Sequence, residues 1–355
     1  MSAKNRETKV AVGVSGGVDS AVAAALLKQQ GYDVIGVHLY CYDEGPYCTA
    51  KEDRVSAVRV AKHLEIPLLV WDLRREYQEK VISYFFEEYQ AGRTPNPDVV
   101  CNREIKFGIF MKKALKDLRV DYIATGHYAR IRRDRDGFHL LRGADESKDQ
   151  SYFLYGLNER QLEHILFPVG EFRKATVRSL ARKFGLPNYS RRESMGVCFI
   201  GPIPIAKFLR QNLPIRRGAV VNTKGEVVGE HDGAWFFTEG QRHGFKIFNP
   251  TGLPLYVVGK DVPSNTLVVG RGKEAEVREF LIGEPHWISR SYRTSKLPGL
   301  QVRIRHLGEL LPARLLGRRV VLREPVFGVA PGQSAVFYKQ NEVLGGAIIK
   351  SLPVL

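Results

Sequence analysis

Short apolar runs alternate with helical stretches through the first two hundred residues, and this rhythm constrains the fold more than any other feature. VAVGV (Val10–Val14) leads to a helical stretch near Ser20–Gln30, and VIGVHLY (Val34–Tyr40) leads to one near Lys51–Leu64. LLVWDL (Leu68–Leu73) precedes stretches near Arg74–Gln90 and Lys106–Leu118, and DYIATGHY (Asp121–Tyr128) reads as the next strand. A βαβα succession predicts a parallel sheet with helices on both faces. Ligands of such sheets sit beyond the carboxyl ends of the strands. Ser15–Ser20, Leu39–Cys41 and Gly126–His127 all fall there.

After about Gly201 the pattern changes. GAVVNTKGEVVGEHDG reads as two short strands joined by a turn at Thr223–Gly225, and from Arg271 the chain is strands and turns punctuated by Pro-Gly at 331–332 and Gly-Gly at 345–346. The expected fold is therefore α/β: a parallel-sheet domain over 1–205, a small mostly-β domain over 206–270, and a C-terminal β-barrel over 271–355. No apolar run reaches the roughly 18–20 residues that cross a bilayer, and MSAKNRETKV holds no apolar signal segment. The expectation is a soluble, cytoplasmic protein with no membrane partner.

The net charge of +16 is unevenly spread. Glu171–Arg217 carries 11 Lys/Arg against 2 acids, and Arg271–Leu355 carries 14 against 7. The remainder of the chain is neutral, so the basic regions read either as a surface for a polyanion larger than a nucleotide or as solvated charge that keeps the protein soluble. The four cysteines, Cys41, Cys48, Cys101 and Cys198, form neither a C-x-x-C pair nor a zinc-finger spacing.

The first strand ends in SGGVDS (Ser15–Ser20). A tight turn opening a helix presents backbone N–H groups and the positive end of the helix dipole to an anion. Ser15 and Ser20 add hydroxyls, and Gly16 and Gly17 permit close approach of an oxyanion. The phosphate-loop lysine is missing. Asp19 would repel phosphate, and it reads as a Mg²⁺ anchor or as a charge complementing the helix dipole. Further along, GRTPNPDVVCNREIKF (Gly92–Phe107) places Asp98 and Cys101 three apart at a helix start, where the dipole lowers a thiol pKa. The alternative for these two is a helix-capping Asp and a buried cysteine. Cys198 lies in ESMGVCFIG after a basic helix, and SKDQSYFLY sets Lys148, Asp149 and Gln150 before an aromatic run.

The string SGGVDS after a first strand resembles the pyrophosphate loop of the ATP pyrophosphatase superfamily, whose members transfer AMP to a substrate oxygen and expel pyrophosphate. With GRTPNPDVVCNREIKF, ATGHYAR, KDQSYFL, GVCFIG, GQRHG and PGQSAVFY in this order, nearly the whole chain resembles the tRNA-specific 2-thiouridylase family. The resemblance implies that ATP, with Mg²⁺, adenylates the wobble-uridine C2 oxygen, and that sulfur then arrives from a cysteine persulfide. It implies a nucleotide site at Gly13, Val14, Ser15, Gly16, Gly17, Val18, Asp19, Ser20, Leu39 and Gly126. It makes Cys101 the nucleophile or resolving thiol, Cys198 the persulfide carrier and Asp98 the nearby acid–base group. Asn96, Pro97 and Asp98 would border the target base. His127, Lys148, Asp149, Gln150, Arg305, His306 and Gln333 would meet tRNA.

The implied partners are the tRNA anticodon stem-loop and a persulfide-donor protein. Within the family, Asp98, Cys101 and Cys198 could instead ligate an iron–sulfur cluster; the disulfide cycle is the favoured reading. Some positions depart from the family: Leu39 stands where Met is common, SMGVC replaces S-T-G-I-C, and His306 replaces a frequent aromatic residue. Two rivals remain at this level. One is an amide-forming or lysidine-type enzyme on the same loop, and the other is a non-enzymatic RNA-binding protein.

Overall fold

The computed structural model describes residues 7–44, 48–192, 205–249, 252–294 and 297–352. All of ESMGVCFIG, with Met195 and Cys198, lies outside the described residues. The N-terminal unit is a five-stranded parallel sheet of order β3-β2-β1-β4-β7, built from β1 (Lys9–Gly13), β2 (Asp33–Tyr40), β3 (Leu68–Asp72), β4 (Tyr122–Ala124) and β7 (Ile165–Leu166). Residue alternation along β1 splits the core. Val10 and Val12 join α1 (Val18–Gln29) and α2 (Ala50–His63) on one face, whereas Ala11 joins the helices of 74–118 on the other. Both faces of the sheet are covered, which explains why β1 is apolar throughout.

α1 is buried on nearly all sides, from Ala21 to Leu27. It is trapped between the sheet and the helix Lys174–Lys183, which packs against it. This accounts for the uninterrupted AVAAALL: a helix with no solvent face has no need of amphipathic spacing. The predicted stretch near Lys106–Leu118 is in fact the end of a longer helix, 97–118, capped by the Asn96 side chain and started by Pro97 at its first turn. Its Cys101–Phe110 portion is wound as a π-helix, a form that recurs at functional sites.

DYIATGHY is a strand only as far as Ala124. Beyond it the chain turns back into a hairpin, β5 (Ala129–Asp134) and β6 (Gly137–Arg142), which leaves the parallel sheet altogether. The hairpin joins the C-terminal sheet by pairing Leu141 with Glu342 and Leu140 with Val343. In that C-terminal unit the strand Glu276–Ile282 pairs with the strand Glu342–Ser351, closing a barrel around Phe280, Val302, Val320 and Phe337. The central unit is a five-stranded sheet that includes the hairpin Gly218–Asn222/Val227–His231. Among the described residues, no helix is long and apolar enough to cross a membrane.

Candidate functional site

A cavity of about 590 Å³ opens at the carboxyl ends of β1, β2 and β4, within the range of small-ligand sites. Its floor is the turn between β1 and α1. Gly13, Val14, Ser15, Gly17, Val18, Asp19 and Ser20 line it, as do Leu39 and Gly126. The turn is tied internally. Ser20 Oγ donates to the Gly17 carbonyl at 3.1 Å, the Ser15 amide donates to Ser20 Oγ at 3.2 Å, and the two hydroxyls are 3.1 Å apart. Both hydroxyls therefore shape the loop as well as facing the cavity.

The two glycines do different things. Gly17 sits in extended backbone at the helix cap, and an added Cβ would find only Ser15 Oγ, at 3.3 Å. Gly16 faces away from the cavity. Its φ of +89° and the Asp53 carbonyl, 2.3 Å from an added Cβ, exclude any side chain. Its own carbonyl accepts from Ser56 Oγ at 2.7 Å, Asn188 Nδ2 at 2.8 Å and Arg191 Nη1 at 3.1 Å. Gly16 thus holds the loop rather than touching a ligand. Gly126 acts similarly from the other side: an added Cβ would lie 2.6 Å from the Ser20 amide nitrogen. Arg191, which belongs to the basic segment read from sequence, closes this clamp with an ion pair to Asp53.

Asp19 is not a lone carboxylate. Lys174 Nζ donates to both of its oxygens, at 2.7 and 2.8 Å, and the Tyr128 hydroxyl donates to Oδ1 at 2.9 Å. Among the described residues no group of three or more His, Cys, Asp and Glu could hold a metal ion. Asp19 is the carboxylate in the turn, so the residues fit a Mg²⁺ that arrives with the nucleotide phosphates. They do not fit a preformed protein cage. Cys198, which an iron–sulfur cluster would need, lies outside the described residues, and no cluster is carried further.

The opposite wall comes from the 97–118 helix. Asp98, Asn102 and Lys106 recur every four residues and all line the cavity. Cys101, three residues after Asp98, is fully buried in the core and is not among the residues that line the cavity. The Cys101 amide donates to the Asp98 and Pro97 carbonyls. Asn96 and Pro97 are likewise buried and do not reach the cavity surface. Lys106 Nζ lies 3.4 Å from His127 Nε2, whose Nδ1 is 2.7 Å from Thr125 Oγ1. Burial, aided by the Lys106 charge, holds His127 well below the usual histidine range, so it is a neutral ring.

Lys148, Gln150, His127 and His306 also line the cavity. Gln150 Oε1 accepts from the Tyr128 amide at 3.0 Å. His306 packs against Phe153 with ring centroids 4.3 Å apart and the rings tilted by 33°, and burial pushes its pKa down to about 4. It is therefore an uncharged aromatic ring in the cavity lining. Arg305 beside it is exposed but lies outside the cavity lining.

Asp149 and Gln333 are both engaged by other parts of the chain. Asp149 is fully buried, and its carboxylate takes the Gly143 and Ser151 amides at 3.0 and 3.1 Å and Arg303 Nη1 at 2.8 Å. Gln333 Nε2 donates to the Thr94 and Pro95 carbonyls at 3.1 and 3.0 Å. The Thr94 amide donates to the Pro331 carbonyl at 2.8 Å, and its hydroxyl bonds Thr238 of the central domain at 2.9 Å. One threonine thus pins three domains immediately before Asn96.

Sequence reasoning missed Lys106, Asn102, Lys174 and Asp53. The i, i+4, i+8 spacing of Asp98, Asn102 and Lys106 was a usable signal for the first two. Lys174 had no such signal, because only packing of its helix on α1 brings it to the turn. Cys41 also lines the cavity, while Cys48 is half-buried, with its thiol directed to the Tyr42 carbonyl at 3.5 Å.

Comparison with known proteins covers the whole length. The family model described as the tRNA methyl transferase HUP domain matches residues 8–202. The tRNA methyl transferase PRC-barrel domain matches 206–271, and the aminomethyltransferase beta-barrel domain matches 277–349. The tRNA-specific 2-thiouridylase MnmA of Bacillus licheniformis is 43% identical over 361 residues, covering 98% of this chain and 96% of that protein. Proteins of the same name from Idiomarina loihiensis and Bacillus subtilis are 44% and 42% identical, covering 98% of this chain and 97% and 96% of their own lengths.

Proposed function

The chain belongs to the tRNA-specific 2-thiouridylase family, and on that basis we propose that it is an ATP-dependent tRNA-uridine 2-sulfurtransferase. The observation that carries this reading is the shared cavity: the SGGVDS turn, Asp98 and the aromatic ring of His306 line one space. ATP would lie with its phosphates on the turn, and the anticodon stem-loop would insert its wobble uridine near His306. An unstacked base from a single-stranded loop is the form such a pocket accepts.

Uridine C2 carries no leaving group. Attack of its oxygen on the α-phosphorus releases pyrophosphate and leaves AMP on that oxygen. A bound Mg²⁺ would neutralise charge on the departing pyrophosphate. Sulfur from a Cys198 persulfide, loaded by a donor protein, then adds to C2, and AMP departs with the original oxygen. If Cys101 thiolate attacks Sγ of the Cys198 persulfide, hydrosulfide is released and a Cys101–Cys198 disulfide remains, to be reduced by a thiol reductant before the next turnover. Asp98 exchanges the protons, and neutral His127 supplies hydrogen bonding without adding charge. Asp149 and Gln333 would serve tRNA indirectly, by holding Lys148, Gln150 and the 94–97 segment in place.

The test is a reconstituted reaction with unmodified tRNA, ATP and a persulfide donor, with nucleosides read by mass spectrometry. The expected products are 2-thiouridine, AMP and pyrophosphate. Pyrophosphate release that does not depend on tRNA, or thiolation unaffected by replacing both cysteines, would overturn the reading.

A further inference from the structure

The turn that is to hold a triphosphate carries no cation, and its nearest side-chain charge, Asp19, has the wrong sign. The cations that line the cavity come from elsewhere in the chain, and Lys174, 155 residues from Asp19, is the one that pairs with it. The helix Lys174–Lys183 packs along α1, and its first residue is fixed by a hydrogen bond from the Lys174 amide to Asp145 Oδ2 at 2.8 Å. That anchoring sends the Lys174 side chain over the start of α1, where Nζ meets both Asp19 oxygens and lies 5.4 Å from the centre of the Tyr128 ring. Lys174, Asp19 and Tyr128 all face the cavity. The lysine side chain is 14% exposed and the aspartate 31% exposed, so their charges act through a medium less screening than water.

We infer that Lys174 moves onto the nucleotide phosphates when they bind and that Asp19 is its resting counter-ion, exchanged at that moment. This rests on the adenylation reading above. A half-buried ammonium needs a partner, and the carboxylate supplies one while the cavity is empty of anions. Phosphate oxygens compete for the same ammonium and are repelled by the same carboxylate. Binding therefore displaces Lys174 from Asp19, and the freed carboxylate turns to the divalent cation that accompanies the phosphates. Asp19 is then a selector: it disfavours bare polyphosphate and tolerates the cation-bound form. Tyr128 keeps one hydrogen bond to Asp19 throughout, so the carboxylate is not left without a donor.

The two substitutions have opposite signs, which makes the inference easy to break. Equilibrium binding of radiolabelled ATP is measured with Mg²⁺ and, separately, in EDTA. Lys174→Ala should weaken binding about tenfold to a hundredfold in both conditions, the range of a charged hydrogen bond, and Lys174→Arg should restore most of it. Asp19→Asn should strengthen binding in EDTA about tenfold, and Mg²⁺ should no longer improve its affinity. Melting curves establish that each variant is folded. Wild-type affinity in Lys174→Ala, or weaker binding in EDTA for Asp19→Asn, overturns the inference while leaving ATP use intact. A wild-type protein that binds neither ATP nor pyrophosphate overturns the adenylation reading and this inference with it.

Discussion

The two ends of the cavity are built on different plans. The end proposed for the nucleotide phosphates is made within one domain, from a contiguous turn clamped by Asp53, Asn188 and Arg191. The end proposed for the base and for sulfur transfer is assembled across three domains, with Thr94 pinned by Pro331, Gln333 and Thr238, and with the β5–β6 hairpin sewn into the barrel sheet. A preformed anion site suits a ligand that is the same in every turnover. A site shared between domains can respond to a large substrate that touches all of them. The contrast predicts that damage at the first end abolishes nucleotide binding, whereas damage at the second leaves nucleotide binding and impairs transfer.

The largest effect is expected at the second end, from Asp149→Ala. Asp149 and Arg303 form a buried ion pair with side chains 0% and 4% exposed. Removing one partner of such a pair costs about 3–5 kcal/mol because the other charge stays buried. The variant should show a large drop in melting temperature, with ATP affinity retained below that temperature. Weakened tRNA binding without any loss of stability would place Asp149 on the RNA instead.

Next comes the first end, where the glycines should separate. Gly16→Ala forces a left-handed φ on alanine and drives its Cβ into the Asp53 carbonyl, a cost of about 2–4 kcal/mol when strain and clash are combined. Gly17→Ala meets no such obstacle. The first variant should lose stability and nucleotide binding together; the second should keep its melting temperature and lose binding. Equal melting losses in both would mean that the loop is held less rigidly than its hydrogen bonds imply.

These pairs also show how far the sequence could be read. The βα alternation and the SGGVDS string gave the parallel sheet and placed Asp19, Leu39 and Gly126 at one end of it, because local pattern determines strand, turn and helix. The same text could not divide labour between Gly16 and Gly17, since the division depends on Asp53, which approaches from α2. It could not reveal that DYIATGHY stops at Ala124, because the hairpin that follows pairs with a strand two hundred residues later. Asp149 and Gln333 were legible as polar residues in specific motifs. Their inward direction was not, because it is set by Arg303 and by the Thr94 carbonyl in other domains.

A smaller effect is expected from Gln333→Ala. It removes two donors from the Thr94 and Pro95 carbonyls, worth about 1–3 kcal/mol if those carbonyls stay unsatisfied. The loss falls on the segment that leads into Asn96 and the 97–118 helix. Single-turnover thiolation should slow by an order of magnitude or more while ATP affinity stays at the wild-type value. A fall in ATP affinity of the same size would show that the two ends are coupled more tightly than their separate construction suggests.

The smallest effect concerns the seam itself and its pH dependence. His139 on β6 lies 2.8 Å from Glu342 Oε1 and 3.0 Å from the Tyr292 hydroxyl through Nδ1, and 2.9 Å from Asp134 Oδ1 through Nε2. Tyr292 also bonds Glu342, and Arg132 lies 3.4 Å from the other oxygen of that carboxylate. Burial alone would lower the His139 pKa, but the hydrogen bonds and charges of Glu342 and Asp134 outweigh it and raise the pKa above the ordinary 6.5. A histidine whose folded pKa is raised contributes its stabilisation fully below the unfolded value and loses it as pH climbs through the folded one. The join between hairpin and barrel should therefore be firmest in mild acid and loosen above neutrality. Hydrogen exchange at Leu140, Leu141 and Val343 should quicken between pH 6 and pH 8 beyond the intrinsic base-catalysed rise, and His139→Gln should remove that excess. Exchange within β1 and α1, measured in the same samples, should follow the intrinsic rise alone, because no histidine bridges a domain boundary there. An excess shared equally by both regions would show that the seam does not open separately from the rest of the fold.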